Sequence, residues 1–166
     1  MVAVGSAAPD FTLLTDAGEP LRLRALRGGP VVLYFYPADD TETCTKEACA
    51  FRDLFPRFDA SGATVLGVSP DDVRSHAKFK AKYGLPFTLL ADTEHAVAER
   101  YGVWREKTTF GRTYMGVART TFVVDAAGRV RHVFDVKRVA GHAADVAAAI
   151  DALGTDRALR GGTRRS

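Results

Sequence analysis

Val31-Val32-Leu33-Tyr34-Phe35-Tyr36-Pro37-Ala38-Asp39-Asp40-Thr41-Glu42-Thr43-Cys44-Thr45-Lys46-Glu47 is the stretch on which the fold turns. Val31 to Tyr36 is apolar throughout rather than alternating, which predicts a strand covered on both faces. Pro37 and the Asp39-Asp40 pair end it. Beyond them Ala48, Phe51, Leu54, Phe55 and Phe58 recur at three- and four-residue intervals, the spacing of one helical face. A helix is therefore expected from about Thr43 to Asp59, with Pro56 kinking or shortening it.

The chain on either side continues the alternation of strand and helix. Upstream, Phe11 to Leu14 and Leu21 to Leu23 flank Asp16-Ala17-Gly18, a turn signal, so a small N-terminal hairpin is expected. Downstream, Ala63 to Val68 reads as a strand that meets Ser69-Pro70-Asp71-Asp72. There Ser69 is the expected helix cap, Pro70 fits the first helical position and the acids suit the dipole. That helix should run to about Tyr83, where Gly84 and Pro86 stop it. Phe87 to Ala91 predicts a strand, Thr93 to Tyr101 a short helix, and Arg105 to Gly116 a long loop. Val117 to Val124 and Val130 to Phe134 flank Asp125-Ala126-Ala127-Gly128, a hairpin signal, and Gly141 to Leu153 closes the pattern as an Ala-rich helix. The architecture is α/β, with a mixed central sheet flanked by helices.

With 166 residues, 46% of them hydrophobic, the chain supports one core, and residues 1–153 are expected to form one domain. The net charge of +3 resides in the segment after it, where Arg157, Arg160, Arg164 and Arg165 stand against Asp156. Residues 154–166 are read as a basic, flexible tail, and with a near-neutral body no nucleic-acid partner is expected. Val31 to Tyr36 is the longest apolar run and falls far below membrane-spanning length, and Met1-Val2-Ala3-Val4-Gly5 does not open a charged leader. No membrane association and a cytoplasmic location are expected. Cys44 and Cys49 are the only cysteines, too few for a disulfide scaffold, and a pair so close in a reducing compartment points to reactivity. The four histidines, His76, His95, His132 and His142, have no metal-ligand spacing, so no metal is expected.

Cys44 falls just after the buried strand, in the first turn of the predicted helix. Free N–H groups and the positive end of the helix dipole favour an anion there. An ordinary thiol of pKa about 8.5 is only about 3% thiolate at pH 7, and about 90% thiolate requires roughly 3.4 kcal/mol of differential stabilisation. A helix terminus supplies up to about 2 kcal/mol, so a further positive group is needed. Arg119 is the candidate, because it interrupts the apolar and small run Val117-Ala118-Arg119-Thr120-Thr121-Phe122-Val123-Val124. Either it turns inward to an anion or it lies at an exposed strand end and reaches solvent. Spacing alone leaves both open.

Pro37, Thr41 and Cys44 match the Pro-x-x-x-Thr-x-x-Cys signature of peroxiredoxins. With Cys49 five residues on, the run resembles the bacterioferritin-comigratory-protein or peroxiredoxin Q subgroup. The resemblance extends through Val68-Ser69-Pro70-Asp71, Lys82-Tyr83-Gly84-Leu85-Pro86-Phe87 and Arg119-Thr120-Thr121-Phe122. It implies a thioredoxin-like fold and a thiol-dependent peroxidase that reduces hydrogen peroxide and organic hydroperoxides to water and alcohols. In that reading Cys44 is peroxidatic, Thr41 hydrogen-bonds the thiolate and the peroxide, Arg119 stabilises both, and Pro37 shields the site from water. No metal or organic cofactor is implied, and the subgroup points to a monomer recycled by thioredoxin or a similar dithiol reductant. One departure is visible, since Glu42-Thr43 stands where the family usually has Pro-Gly. Glu42 would disfavour the thiolate if it faced the sulfur, whereas Thr43 would cap the helix better than Gly.

Peroxide attack leaves a sulfenic acid that a second thiol can condense to a disulfide, and Cys49 is the other thiol available. In an intact helix, residues five apart have Cα atoms roughly 8.7 Å apart, whereas a disulfide tolerates about 7 Å at most. A Cys44–Cys49 disulfide therefore requires the first turns of the helix to unwind. Two other functions share the same residues. Thiol–disulfide exchange on proteins usually uses Cys-x-x-Cys, which this spacing disfavours. A redox sensor would expose Phe51 or Phe55 to a partner after oxidation.

Overall fold

The computed structural model describes the backbone of residues 1–164 and the side chains of residues 1–154. A seven-stranded mixed sheet forms its centre, in the order β2-β1-β5-β4-β3-β8-β9. The strands are β1 (Thr12–Thr15), β2 (Pro20–Arg22), β3 (Val31–Phe35), β4 (Thr64–Ser69), β5 (Thr88–Ala91), β8 (Thr120–Val124) and β9 (Val130–Asp135). Strand β3 lies parallel to β4 and antiparallel to β8, and β4 lies parallel to β5. The helices are α1 (Glu42–Asp53), α2 (Phe55–Ala60), α3 (Val73–Tyr83), α4 (Ala96–Arg100) and α5 (His142–Arg164). Among the described residues, no helix is long and apolar enough to cross a membrane.

Every residue of β3 is buried, as its unbroken apolar run requires, and its two faces serve two cores. Val32, Tyr34 and Tyr36 pack with Ala48, Phe51, Phe58, Phe79, Val146 and Ile150 from α1, α2, α3 and α5. Val31, Leu33 and Phe35 point the other way, into a cluster with Val97, Ala98, Tyr101 and Phe122. The predicted first helix is divided at Leu54, and Pro56 falls in the first turn of α2, where its missing N–H breaks no helical bond. Gly84 ends α3 in the left-handed region, with φ 61°.

Four expectations are corrected. Asp72, not Ser69, caps α3, accepting from the N–H of Ser75 at 2.8 Å. A residue before proline avoids the helical region, so Ser69 completes β4 and its hydroxyl grips Asp71 instead. The segment expected as a loop over residues 105–116 is a two-stranded hairpin, β6 (Trp104–Thr109) and β7 (Arg112–Val117). Phe110 and Gly111 turn it, both at positive φ, the pattern of a two-residue type I′ turn. Arg119 precedes β8 rather than lying inside it, with its carbonyl accepting from the N–H of Val136. Finally, α5 continues past Leu153, where the sequence pattern ends it. Beyond Gly154, the basic tail expected over 154–166 lies outside the residues whose side chains are described.

The contact that seats α1 on the sheet is Tyr34 stacked on Phe51, with ring centroids 4.7 Å apart. It requires Gly67 on the neighbouring strand, because a Cβ there would lie 2.8 Å from Tyr34 Cζ and Oη and 2.9 Å from Leu89 Cδ2. Gly67→Ala should therefore lower the unfolding free energy by about 1–3 kcal/mol through overpacking, read as a lower midpoint in urea.

Candidate active site

The end of β3 and the start of α1 are joined by six residues, and Cys44 is the third residue of the helix that follows. Thr41 is the N-cap. Its backbone is extended and its Oγ1 accepts from the N–H of Cys44 at 3.3 Å. The cap is thus Thr41 rather than Thr43, which lies within the first helical turn. Thr41 Oγ1 also donates to the Ala38 carbonyl at 3.5 Å, so its bonds in this state go to the backbone. Pro37 is half-buried at the head of the loop. Glu42, the added carboxylate, is 84% exposed and pairs with Lys46 at 3.2 Å, one turn along the helix. Its charge is therefore directed into water, where it is screened.

The buried stripe of α1 is Cys44, Glu47, Ala48 and Phe51, an i, i+3, i+4, i+7 set. Two of its four members are polar or reactive, and Arg119 meets both. Of the two dispositions open to Arg119, the structure takes the inward one: its side chain is 13% exposed. Nη2 donates to Cys44 Sγ at 3.3 Å and Nη1 donates to Glu47 Oε1 at 2.6 Å. One guanidinium therefore bridges a thiol and a carboxyl, both buried.

The charges respond to that burial. Desolvation pushes the Glu47 carboxyl up to about 7, with Arg119 opposing the shift. Glu47 Oε2 and the Tyr34 hydroxyl are buried without a hydrogen-bond partner among the described residues. Burial first, then Glu47 and Cys44, hold Tyr34 far above its ordinary value, so it is a neutral hydroxyl facing this cluster. Lys107 on β6 is half-buried, and desolvation pulls it below its ordinary value; Tyr114, Arg119 and Cys44 all act on it. A second cation thus borders the thiol.

Cys49 is half-buried on the same helix, and both cysteines are reduced. Because α1 is continuous from Glu42 to Asp53, its helical geometry sets the two Cα atoms roughly 8.7 Å apart. The structure brings Cys44, Arg119 and Thr41 together and holds Cys49 off by one and a half helical turns. Glu47 and Lys107 were not anticipated. Extending the apolar period backwards from Phe51 and Ala48 would have reached Glu47, whereas Lys107 lies in the hairpin read as a loop.

The arrangement suits a sulfur anion. A nucleophilic thiolate needs a cation and donors beside it, and a water-poor setting makes both more effective. Comparison with known proteins gives the same direction. The AhpC/TSA family matches residues 4–133. A peroxiredoxin Bcp of Bacillus subtilis (strain 168) is 45% identical over 144 residues, covering 87% of this chain and 92% of its own. A Coxiella burnetii chain bearing the same Bcp name is 51% identical over 145 residues, 87% of this chain and 96% of that one. The solved structure of Xanthomonas campestris bacterioferritin comigratory protein, from work on its alkyl peroxide reduction, superposes with a TM-score of 0.85. It is 38% identical and covers 93% of this chain and 98% of that one.

The buried carboxyl makes stability depend on pH. Below pH 4.5, its ordinary value, Glu47 holds its proton in both folded and unfolded chains and contributes nothing. From pH 4.5 to about 7 the unfolded chain releases that proton while the folded one retains it, so rising pH erodes stability, and above 7 the loss levels off. Glu47→Gln should remove this pH-dependent loss, which amounts to about 3 kcal/mol. Urea unfolding of both proteins across that pH range checks it.

Proposed function

The chain belongs to the AhpC/TSA family, among the peroxiredoxins named Bcp or peroxiredoxin Q, and from that membership we propose that Cys44 is the residue that attacks the peroxide. The protein is a thiol-dependent peroxidase. The observation that carries the assignment is the 3.3 Å contact from Arg119 Nη2 to Cys44 Sγ at the first turn of α1.

In this reading the Cys44 thiolate attacks the terminal oxygen of a hydroperoxide. The S–O bond forms as the O–O bond breaks, the departing hydroxide or alkoxide takes up a proton, and Cys44 is left as a sulfenic acid. Arg119 orients the thiolate and donates to the peroxide as charge moves onto the leaving oxygen. Thr41, which caps the helix in the reduced state, has its hydroxyl at the same turn and is the second donor. Pro37 limits water at the loop. Cys49 then attacks the sulfenic sulfur, water leaves, and the Cys44–Cys49 pair is left as a disulfide, short of the two electrons that the peroxide took. An external dithiol, thioredoxin or a similar protein, returns them. The relative studied for alkyl peroxide reduction supports organic hydroperoxides as substrates beside hydrogen peroxide. All the groups come from one chain, which supports a monomer as the working unit, and dependence on a reducing dithiol supports a cytoplasmic setting.

Stopped-flow Trp104 fluorescence of the reduced protein mixed with hydrogen peroxide tests the assignment. Cys44→Ser should abolish the fast phase, and Cys49→Ser should retain it and accumulate sulfenic acid visible by mass spectrometry. Arg119→Met should slow the fast phase by about 10²–10³-fold, the loss typical of one electrostatic donor. Oxidation of the wild type no faster than a free thiol would reject the reading. Disulfide formation should also reduce the helical circular-dichroism signal, because α1 must open to bring the sulfurs together. An unchanged spectrum with a fully formed disulfide would contradict the unwinding of α1.

A further inference from the structure

Away from the thiol, six polar side chains converge around the loop that precedes α1. His76 on α3 is fully buried and Asp39 is nearly so, with its side chain 4% exposed. His76 Nδ1 lies 2.7 Å from Asp39 Oδ2, and Nε2 lies 2.9 Å from the Leu90 carbonyl. The Ser75 hydroxyl donates to the same Asp39 oxygen at 2.7 Å, and the Tyr36 hydroxyl donates to the other. Burial, with Tyr34 and Asp39 beside it, holds Tyr36 far above its ordinary value, so it remains a neutral donor. The Asp39 N–H donates to Asp71 Oδ2 at 2.7 Å, an oxygen that also accepts from Ser69 Oγ at 2.6 Å.

Asp39, Asp71 and His76 bring three ligand-type atoms within 4.8 Å of one another, which raises the question of a metal. The ring does not fit one. Nδ1 faces Asp39 Oδ2, with the Tyr36 hydroxyl, whose own hydrogen goes to Asp39, at 3.4 Å, and Nε2 faces the Leu90 carbonyl, so each nitrogen has an acceptor inside the protein and neither is left to hold a metal. A ring that donates at both ends is an imidazolium.

We propose that the buried Asp39–His76 ion pair is a positioning device for the peroxidatic loop, fixing Pro37 and Thr41 to α3 so that Thr41 is set correctly against Cys44. The proposal rests on the reading of Cys44 as the attacking residue. Asp39 lies midway between Pro37 and Thr41, and its partners are Tyr36 just after β3, Asp71 in the β4–α3 turn, and Ser75 and His76 on α3, the last tied in turn to Leu90 on β5. None of them comes from α1. Asp40, next along and at φ 57°, accepts from Lys82 and Tyr83 at 2.8 Å each, a second tie from the same loop to α3. The loop is thus held by groups that stay in place when α1 unwinds.

The test separates geometry from thiolate chemistry. Peroxide attack needs Thr41 and Arg119 both placed around the reacting oxygen, whereas alkylation by iodoacetamide needs an accessible thiolate and little else. In a Cys49→Ser background, Asp39→Asn should slow oxidation by hydrogen peroxide about tenfold or more while changing alkylation by no more than about twofold. Ser75→Ala removes one neutral bond and leaves the ion pair, and should have the smaller effect on oxidation. Equal loss in both reactions, or no loss in either, overturns the proposal. Nitrogen-15 spectra of the wild type supply the second readout: both His76 ring nitrogens should be protonated, in the reduced and the disulfide forms alike. A neutral tautomer in either form overturns it. If Asp39→Asn does not fold, or if the wild type reacts no faster than a free thiol so that the peroxidase reading falls, the ring signals decide the matter alone.

Discussion

A single guanidinium shared between a sulfur and a carboxyl is the interaction on which the rest of this molecule depends. Arg119 donates to Cys44 and to Glu47 at once, and all three groups lie where water is scarce. With Glu47 ionised and Cys44 a thiolate, two negative charges face one positive charge, and the weak screening of a protein interior makes the surplus unfavourable. Holding the proton on Glu47 removes it, and burial pushes that carboxyl up to about 7, in the direction that does so. Lys107, bordering the same cluster from β6, is a second way to balance the charge. The site therefore couples Glu47 and Lys107 around one fixed cation, and a negative sulfur beside Arg119 is least opposed when the carboxyl is neutral.

The fold exists to hold that contact in place. Arg119 enters just ahead of β8, the strand directly beside β3, and Cys44 enters just after β3 through a six-residue loop. Because β3 is buried on both faces, neither strand end can shift without disturbing two cores. The stack of Tyr34 on Phe51 fixes the rotation of α1 about its axis. With Phe51 inward, the helical period brings Ala48, Glu47 and Cys44 inward too. The depth of the thiol thus follows from an aromatic contact seven residues further along the helix.

Much of this was readable in the chain, for a reason that also explains what was not. Val31 to Phe35, the face marked by Phe51, the break before Pro56 and the stop at Gly84 all carry local signals of burial or backbone geometry. Arg119 was conspicuous as a charge within an apolar run, though only the structure decided its direction. The β6–β7 hairpin pairs with itself outside the main sheet, and most of its residues are exposed. It therefore has no buried face to impose a period. Its turn begins with Phe110, which gives none of the signal that Asn or Asp would give at a positive φ. Lys107 was hidden with it. Asp39 and His76 are separated by 37 residues, so their meeting depends on the packing of α3 against β5 and has no local pattern.

The same buried carboxyl that supports the thiolate also bears on how the helix opens. If α1 unwinds to join Cys44 to Cys49, the moving segment has a stationary boundary at each end. The loop at Asp39 and Asp40 is tied to α3 on one side, and Phe51, packed between Tyr34 and Phe58, is held on the other. Glu47 lies between these boundaries. Unwinding returns it to water, which removes the desolvation that raised it and frees Arg119 from the pair. A helix stabilised throughout by apolar contacts would oppose that opening along its whole length. Here the turns that would move are the ones that bury the Glu47 carboxyl, and the residues that would remain are aromatic or anchored from outside.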